Sequence, residues 1–74
     1  MSNEAYRTAG QKIREARIAA GLTQTELAEA THTTQGHISG LERGWHSGRP
    51  SYPKVATLKR LAVALKCPWY ELVL

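Results

Sequence analysis

The stretch from Thr23 to Gly44, TQTELAEATHTTQGHISGLERG, carries the start and stop signals of two short helices. Thr23 can cap the first helix, and Glu26 three residues later completes a T-x-x-E capping box. The tripeptide Thr-His-Thr at 31–33 consists of poor helix formers and should end that helix. Thr34 can begin the second helix, and Gly44 suits a left-handed C-terminal stop. Two short helices joined by a tight turn predict a helix-turn-helix over residues 23–44.

Apolar residues spaced three and four apart predict which side of each helix is buried. A first helix should end at Gly21, a fourth should open at Pro53, and a short fifth should follow Pro68. The sequence contains no strand signal, so it predicts an all-α fold of five helices in a single domain, residues 1–74. The predicted buried positions are Ala5 or Tyr6, Ala9, Ile13, Ala16 and Ala20; Leu27, Ala28 and Ala30 or Thr31; Ile38 and Leu41; Val55, Leu58, Leu61, Ala62 and Leu65; and Trp69 and Leu72.

The composition limits the classes of protein to which this chain can belong. A single cysteine excludes an internal disulfide and a cysteine-based metal site, and it favours a reducing cytoplasm. No apolar run approaches the ~20 residues of a membrane span, and the first ten residues lack the apolar core of a signal peptide. The net charge of +4 is a moderate bias towards polyanions. We therefore expect a cytoplasmic protein that needs no metal ion or cofactor and does not enter a membrane.

The segments LTQTELAEAT and TTQGHISGLERG resemble the helix-turn-helix of the Cro/phage-repressor type, also called XRE-like. The similarity extends from about Gly10 to Leu72 and includes P-x-V-x-T-L-x-R-L-A-x-A-L, which resembles the family's fourth helix. The resemblance implies a five-helix phage-repressor-like domain and a sequence-specific, repressor-like transcriptional regulator, bacterial or phage-encoded and associated with the nucleoid. Its third helix would enter the major groove of double-stranded DNA. The matching pieces are Leu22-Thr23-Gln24, Leu27-Ala28, Thr34, Ile38-Ser39 and Leu41-Glu42-Arg43-Gly44.

The segment 45–53, WHSGRPSYP, is the one place where the chain departs from the family in length. Two prolines and a glycine forbid a long helix there. The corresponding link in the family is usually shorter, so this chain carries several extra residues. Their role is not defined by the sequence.

Polar residues on the two central helices are the candidate DNA contacts. Gln24 matches the glutamine with which the family binds a backbone phosphate, and Gln35 occupies the family's first base-reading position. A glutamine can pair with adenine N6 and N7, and His37 can bond to guanine or to a phosphate. The alternative for each is an ordinary solvated polar residue. The predicted DNA-contacting residues are Gln24, Thr34, Gln35, Gly36, His37, Gly40 and Arg43, and those from Thr34 to His37 share the outward side of the third helix with Gly40.

Gly36 and Gly40 are unusual inside a helix, because each costs ~1 kcal/mol relative to alanine. One interpretation is a thin helix face that lets the helix sit deep in the groove. The other is neutral drift at exposed positions. The sequence leaves both open.

The resemblance also implies two structural features. In the family, an arginine of the first helix pairs with the glutamate of the L-E-x-G ending, and the register of A-R-I-A-A-G-L-T-Q puts Arg17 at the pairing position with Glu42. Such a pair would lock the first helix to the third. His32 stands where the family commonly has a glycine with positive φ, so we expect a slightly strained turn.

Other functions remain open at the level of sequence. The DNA-binding alternatives are a restriction–modification controller, an antitoxin-like autoregulator and an excision factor. The alternative without DNA is a protein-interaction module, anchored by Trp45, Tyr52, Trp69 and Tyr70. No phosphate-cradling glycine loop or catalytic triad context appears, so we do not expect an enzyme. Because one recognition helix reads few base pairs, a weak homodimer on DNA is expected.

Overall fold

The computed structural model describes residues 4–46 and 48–73, and for residues 4–8 and 46 it describes the backbone alone. The helices are α1 (Glu4–Ala19), α2 (Gln24–Ala30), α3 (Gln35–Arg43), α4 (Val55–Leu65) and a C-terminal 3-10 helix (Trp69–Leu72). Two-residue strands, β1 (Trp45–His46) and β2 (Arg49–Pro50), pair antiparallel between α3 and α4. The predicted all-α class is confirmed. The fifth helix is 3-10 rather than α, and the hairpin at 45–50 was not predicted.

Local capping chemistry fixes the ends of the two central helices. The hydroxyl of Thr23 accepts a hydrogen bond from the N–H of Glu26 (3.0 Å), and the Glu26 carboxylate accepts one from the N–H of Thr23 (2.8 Å). Thr34 caps α3 by accepting from the N–H of His37 (3.1 Å). Gly44 ends α3 in the left-handed region at φ 72°. The predicted capping box, cap and stop are all confirmed.

The turn between α2 and α3 is held by a buried threonine. The hydroxyl of Thr31 donates to the carbonyl of Leu27 (2.8 Å) and lies 3.0 Å from the hydroxyl of Thr33. His32 follows at φ 57°, which confirms the predicted positive φ and a small backbone strain. Lys66 ends α4 at φ 56°, a left-handed position that the sequence did not signal.

The core lies where the four α-helices and the 3-10 helix meet. It consists of Ile13, Leu27, Ala28, Ile38, Leu41, Leu58, Leu61, Ala62, Leu65 and Leu72. These residues confirm most of the predicted buried positions, whereas the side chains of Ala5 and Tyr6 lie outside the described part of the chain. Every helix therefore contributes to the core apolar residues at positions that its sequence spacing predicted.

Three positions predicted to be buried are exposed. Val55 is 68% exposed at the first residue of α4, and Ala20 is exposed just after the end of α1. Trp69 is 51% exposed: it lies beside Val55 and Leu58 at the edge of the fold, and its large ring is only half covered there.

Gly10 lets α1 approach α3 closely. A β-carbon at this position would lie 2.6 Å from the carbonyl oxygen of Glu42 and would also collide with that of Leu41. Only glycine permits this contact between the two backbones, which sets α3 firmly against α1. Within 4–46 and 48–73, no helix is long and apolar enough to cross a membrane.

Candidate nucleic-acid interface

The predicted ion pair joins α1 to α3. The Arg17 guanidinium donates to both oxygens of Glu42, from Nε to Oε2 at 2.6 Å and from Nη2 to Oε1 at 3.2 Å. Nη1 of Arg17 donates to the carbonyl of Leu22 at 2.9 Å. The side chains are 13% and 3% exposed, respectively, so the pair is largely removed from water. A bidentate contact of this kind holds the carboxylate in one position and stabilises its negative charge.

A chain of hydrogen bonds continues from this pair to the start of α3. Nε2 of Gln24 donates to Oε1 of Glu42 at 3.0 Å, and Nε2 of Gln35 donates to Oε1 of Gln24 at 2.6 Å. An ionised carboxylate can only accept hydrogen bonds. Gln24 must therefore turn its NH₂ group towards Glu42 and its oxygen towards Gln35. Gln35 in turn must offer its NH₂ group to Gln24, so the orientation of its amide is set from the buried pair.

Gln24 and Gln35 were predicted as two separate contacts, and the hydrogen bond between them was not predicted. Two signals were present. Each glutamine is the first residue of its helix, and Glu42 lies seven residues after Gln35, two turns along the same face of α3. What the sequence could not show was the distance between the N-terminal ends of α2 and α3.

The first turn of α3 is the exposed polar surface of the helix-turn-helix. Thr34, Gln35, Gly36 and His37 are all exposed, and Arg43 is exposed in the last turn. The prediction that Gly40 shares this outward side is wrong, because Gly40 is buried.

The segment after α3 turns back beside the end of the helix. Gly44 turns the chain, and the N–H of Ser51 donates to the carbonyl of Gly44 at 3.1 Å. This bond holds the returning chain against the C-terminal end of α3. Gly36, in contrast to the buried Gly40, has open space around the position of a β-carbon. Of the two glycines, only Gly36 leaves the exposed side of α3 thin.

An open groove separates the exposed turn of α3 from the returning chain. Its volume is about 310 Å³, and it is lined by Thr34, Gly36, His37 and Ser51. Hydroxyl, imidazole and backbone groups therefore line this groove, and Gly36 contributes no side chain to it. The groove is open to a polar ligand.

The described residues offer little for chemistry other than binding. Among 4–46 and 48–73, no three histidine, cysteine or acidic side chains lie close enough together to hold a metal ion. Burial raises the pKa of the Cys67 thiol, and the negative charge of Glu71 raises it further. A raised pKa keeps the thiol protonated and unreactive at neutral pH.

Comparison with known proteins decides the family. A family model described as helix-turn-helix matches residues 13–72, which is most of the chain. The chain belongs to the XRE-like helix-turn-helix family. The residues that carry the predicted resemblance, including the capping box of α2 and the L-E-R-G ending of α3, lie inside the matched range.

Other members of the family are similar over most of this chain. The HTH-type transcriptional regulator RghRB of Bacillus subtilis strain 168, itself uncharacterized, is 39% identical over 64 residues. The alignment covers 86% of this chain but only 43% of RghRB, so the chain spans less than half the length of that relative.

Solved structures of regulators share the fold. The restriction–modification controller protein C.AhdI of Aeromonas hydrophila is 31% identical and has a TM-score of 0.79, covering 90% of this chain and 94% of its own. The clp gene regulator ClgR of Corynebacterium glutamicum is 28% identical with a TM-score of 0.80, covering 93% and 82%. The biofilm regulator SinR in complex with DNA is 25% identical with a TM-score of 0.74, covering 86% and 95%.

Proposed function

We propose that this chain is the DNA-binding part of a sequence-specific, repressor-like transcriptional regulator and that α3 enters the major groove. The observation that carries the proposal is the hydrogen-bond chain from the buried Arg17–Glu42 pair through Gln24 to Gln35. It presents a polar side chain in a fixed orientation at the exposed start of α3. Pre-orientation of this kind reduces the entropy lost when a side chain binds a base edge. The proposed activity is binding alone and needs no catalysis.

Gln35 keeps the groups that an adenine contact requires. Its NH₂ group has two donors, and one of them is used at 2.6 Å by Gln24. The second donor and the carbonyl oxygen remain for a base. Together they match adenine, whose N7 accepts a hydrogen bond and whose N6 donates one. We therefore assign Gln35 to reading an adenine, with Thr34 and His37 beside it on the exposed turn.

Phosphate contacts would supply most of the affinity. Gln24 has a second N–H that does not bond to Glu42, and we assign it to a backbone phosphate at the edge of the groove. Arg43 is exposed in the last turn of α3 and can bind a phosphate further along. Gly36 has no side chain to hold α3 away from the DNA. Gly40, being buried, is not assigned a DNA contact.

DNA selection from a random pool tests the function directly. The selected duplex should bind with an affinity that falls steeply between 50 and 200 mM salt, because bound phosphates release counterions. Gln35→Ala should weaken binding to this duplex by about 1–3 kcal/mol and relax the preference at one base pair. Gln11→Ala is the matched control, since Gln11 is an exposed glutamine of α1. Failure to select any preferred sequence would favour the protein-interaction alternative.

A weak homodimer that forms mainly on DNA is part of the proposal. Exposed apolar side chains at the start of α4 and on the 3-10 helix offer a surface for a second copy, with Val55, Trp69 and Tyr70 the largest contributors. Two copies on a symmetric site would place half-sites about 10 base pairs apart, centre to centre. Bound in this way, the protein would reside on the chromosome in the cytoplasm.

A restriction–modification controller is the second candidate function. The similarity to C.AhdI, at 31% identity and a TM-score of 0.79, favours it. A controller should have a methyltransferase or endonuclease gene beside its own and should bind the promoter that they share. If the neighbouring genes encode neither enzyme, the controller role is excluded and general regulation remains.

A further inference from the structure

The net positive charge of the chain arises from its second half. Residues 43–70 contain six lysine and arginine side chains and no aspartate or glutamate. The first 42 residues contain four basic and five acidic side chains. The segment with uncompensated charge begins at the last residue of α3 and includes the hairpin and α4. Attraction to a polyanion should therefore be strongest on the C-terminal side of the recognition helix.

The hairpin carries an exposed arginine. Arg49 lies on β2 opposite His46. Among the described residues it bonds to no carboxylate, whereas Arg17 donates to both Glu42 and Leu22. An exposed guanidinium of this kind is available to an external anion, and its planar fork suits a phosphate.

Arg49 lies two residues before a residue that lines the groove beside α3. Ser51, two residues after Arg49, lines that groove together with Thr34, Gly36 and His37. Alternate residues of an extended chain point to the same side. Arg49 and Ser51 should therefore leave the chain on the same side, facing the exposed turn of α3. The bond from the N–H of Ser51 to Gly44 holds this part of the loop against the end of α3.

We propose that the hairpin formed by β1 and β2 is a second DNA-contacting element and that Arg49 binds a phosphate of the strand that flanks the base pairs read by α3. The groove between α3 and Ser51 would receive that strand, with the bare backbone at Gly36 allowing close approach. This inference rests on the proposed DNA binding and adds to it a contact supplied by the extra residues between α3 and α4.

Arg49→Gln tests the contact, measured by fluorescence anisotropy on the selected duplex and on an unrelated duplex of equal length. We expect about tenfold weaker binding to both, the effect of one charged hydrogen-bonding group. The slope of log affinity against log salt should fall in magnitude by about 0.9, as for one phosphate. Arg49→Lys keeps the charge and should restore the slope while recovering only part of the affinity. An unchanged melting temperature would show that the fold is intact.

Lys66→Gln is the matched control. It removes the same charge from the same acid-free segment, but Lys66 lies beyond the far end of α4, about 16 Å from its start at 1.5 Å per residue. For Lys66→Gln, the slope of log affinity against log salt should equal that of the wild type. If Arg49→Gln and Lys66→Gln give equal affinities and slopes, the role of the hairpin is refuted while DNA binding stands. A wild-type protein that binds no duplex would overturn the proposed function itself, and the hairpin contact with it.

Discussion

The burial of Glu42 depends on two individual side chains that donate hydrogen bonds to it. Its carboxylate is nearly inaccessible to water, and it is tolerated there because the Arg17 guanidinium and the Gln24 amide donate three hydrogen bonds to it. The same carboxylate thus serves stability through Arg17 and the proposed recognition through Gln24. Mutations at these residues should separate the two effects.

Glu42→Ala should lower the free energy of unfolding by about 3–5 kcal/mol, because it leaves the Arg17 guanidinium buried with only the Leu22 carbonyl. For a domain of this size, this corresponds to a melting temperature lower by at least about 12 °C. Circular dichroism during heating and urea titration measures both quantities. Glu29→Ala is the control, since Glu29 is exposed on α2 and should change little. If Glu42→Ala and Arg17→Met both melt within about two degrees of the wild type, the pair contributes no stability.

Gln24→Ala and Gln35→Ala should be coupled in their effect on DNA binding. Without Gln24 the Gln35 amide loses its orientation, so both variants should relax the preference at the same base pair. The double variant should lose less affinity than the sum of the two single losses, because the orienting bond can be lost only once. Binding titrations of the four proteins on the selected duplex give the coupling. Losses that add within about 0.3 kcal/mol would indicate two independent contacts.

At the scale of elements, local signals predicted the helix ends correctly, whereas several contacts between elements were not predicted. The capping box of Thr23 and Glu26 depends on residues three apart, so the sequence contains all of its determinants. The burial of Gly40 depends on tertiary packing, which no local pattern specifies. The close approach at Gly10 was likewise invisible, because it requires knowing that α1 meets the α3 backbone there. Helix-period patterns also fail at helix ends: Val55 fits the apolar stripe of α4 but is exposed.

Replacing a glycine with alanine should lower the stability of the protein in α1 and raise it in α3. Gly10→Ala forces a β-carbon into the carbonyl oxygens of α3 and should destabilise the protein by about 1–3 kcal/mol. Gly36→Ala has open space and should stabilise it by up to about 1 kcal/mol through helix propensity. Urea denaturation of the two variants provides the comparison, and each acts as the control for the other. A stabilising Gly10→Ala would contradict the close packing of α1 on α3.

Gly36→Ala also distinguishes the two interpretations of this glycine. If the thin side of α3 admits the DNA backbone, the variant should bind the selected duplex more weakly although it is more stable. Anisotropy titration at fixed salt measures the affinity. Unchanged binding would mean that the glycine is merely tolerated.

At the scale of the whole molecule, the exposed apolar patch and the proposed DNA contacts lie on different elements. Val55, Trp69 and Tyr70 are exposed at the junction of α4 with the 3-10 helix, and the rings of Trp69 and Tyr70 meet edge to face, 5.9 Å between centroids. The proposed DNA contacts, by contrast, come from α3 and the hairpin. A second copy could therefore cover the apolar patch while both recognition helices remain free.

Val55→Glu should abolish the weak dimer by burying a charge in this patch, at a position that is 68% exposed in the single chain. Val63→Glu is the matched control, because Val63 is another exposed valine of α4 and lies beside Ala30 instead. Sedimentation velocity over a range of concentrations, with and without the selected duplex, reports the equilibrium. One protein per duplex for the wild type, or a dimer lost in Val63→Glu but kept in Val55→Glu, would contradict the assigned surface.

The donor–acceptor order in the hydrogen-bond chain from Glu42 through Gln24 to Gln35 is fixed. This order limits how the DNA sequence that the protein recognises can change in evolution. Because Gln24 must turn its oxygen towards position 35, any residue there that keeps the bond has to be a hydrogen-bond donor. Arginine or lysine, which suit guanine, satisfies this condition in one step. Glutamate, which suits cytosine, would set its carboxylate against the Gln24 oxygen, and rotating the Gln24 amide would turn that oxygen towards Glu42. Paralogues that read cytosine with a carboxylate at position 35 should therefore have changed position 24 as well.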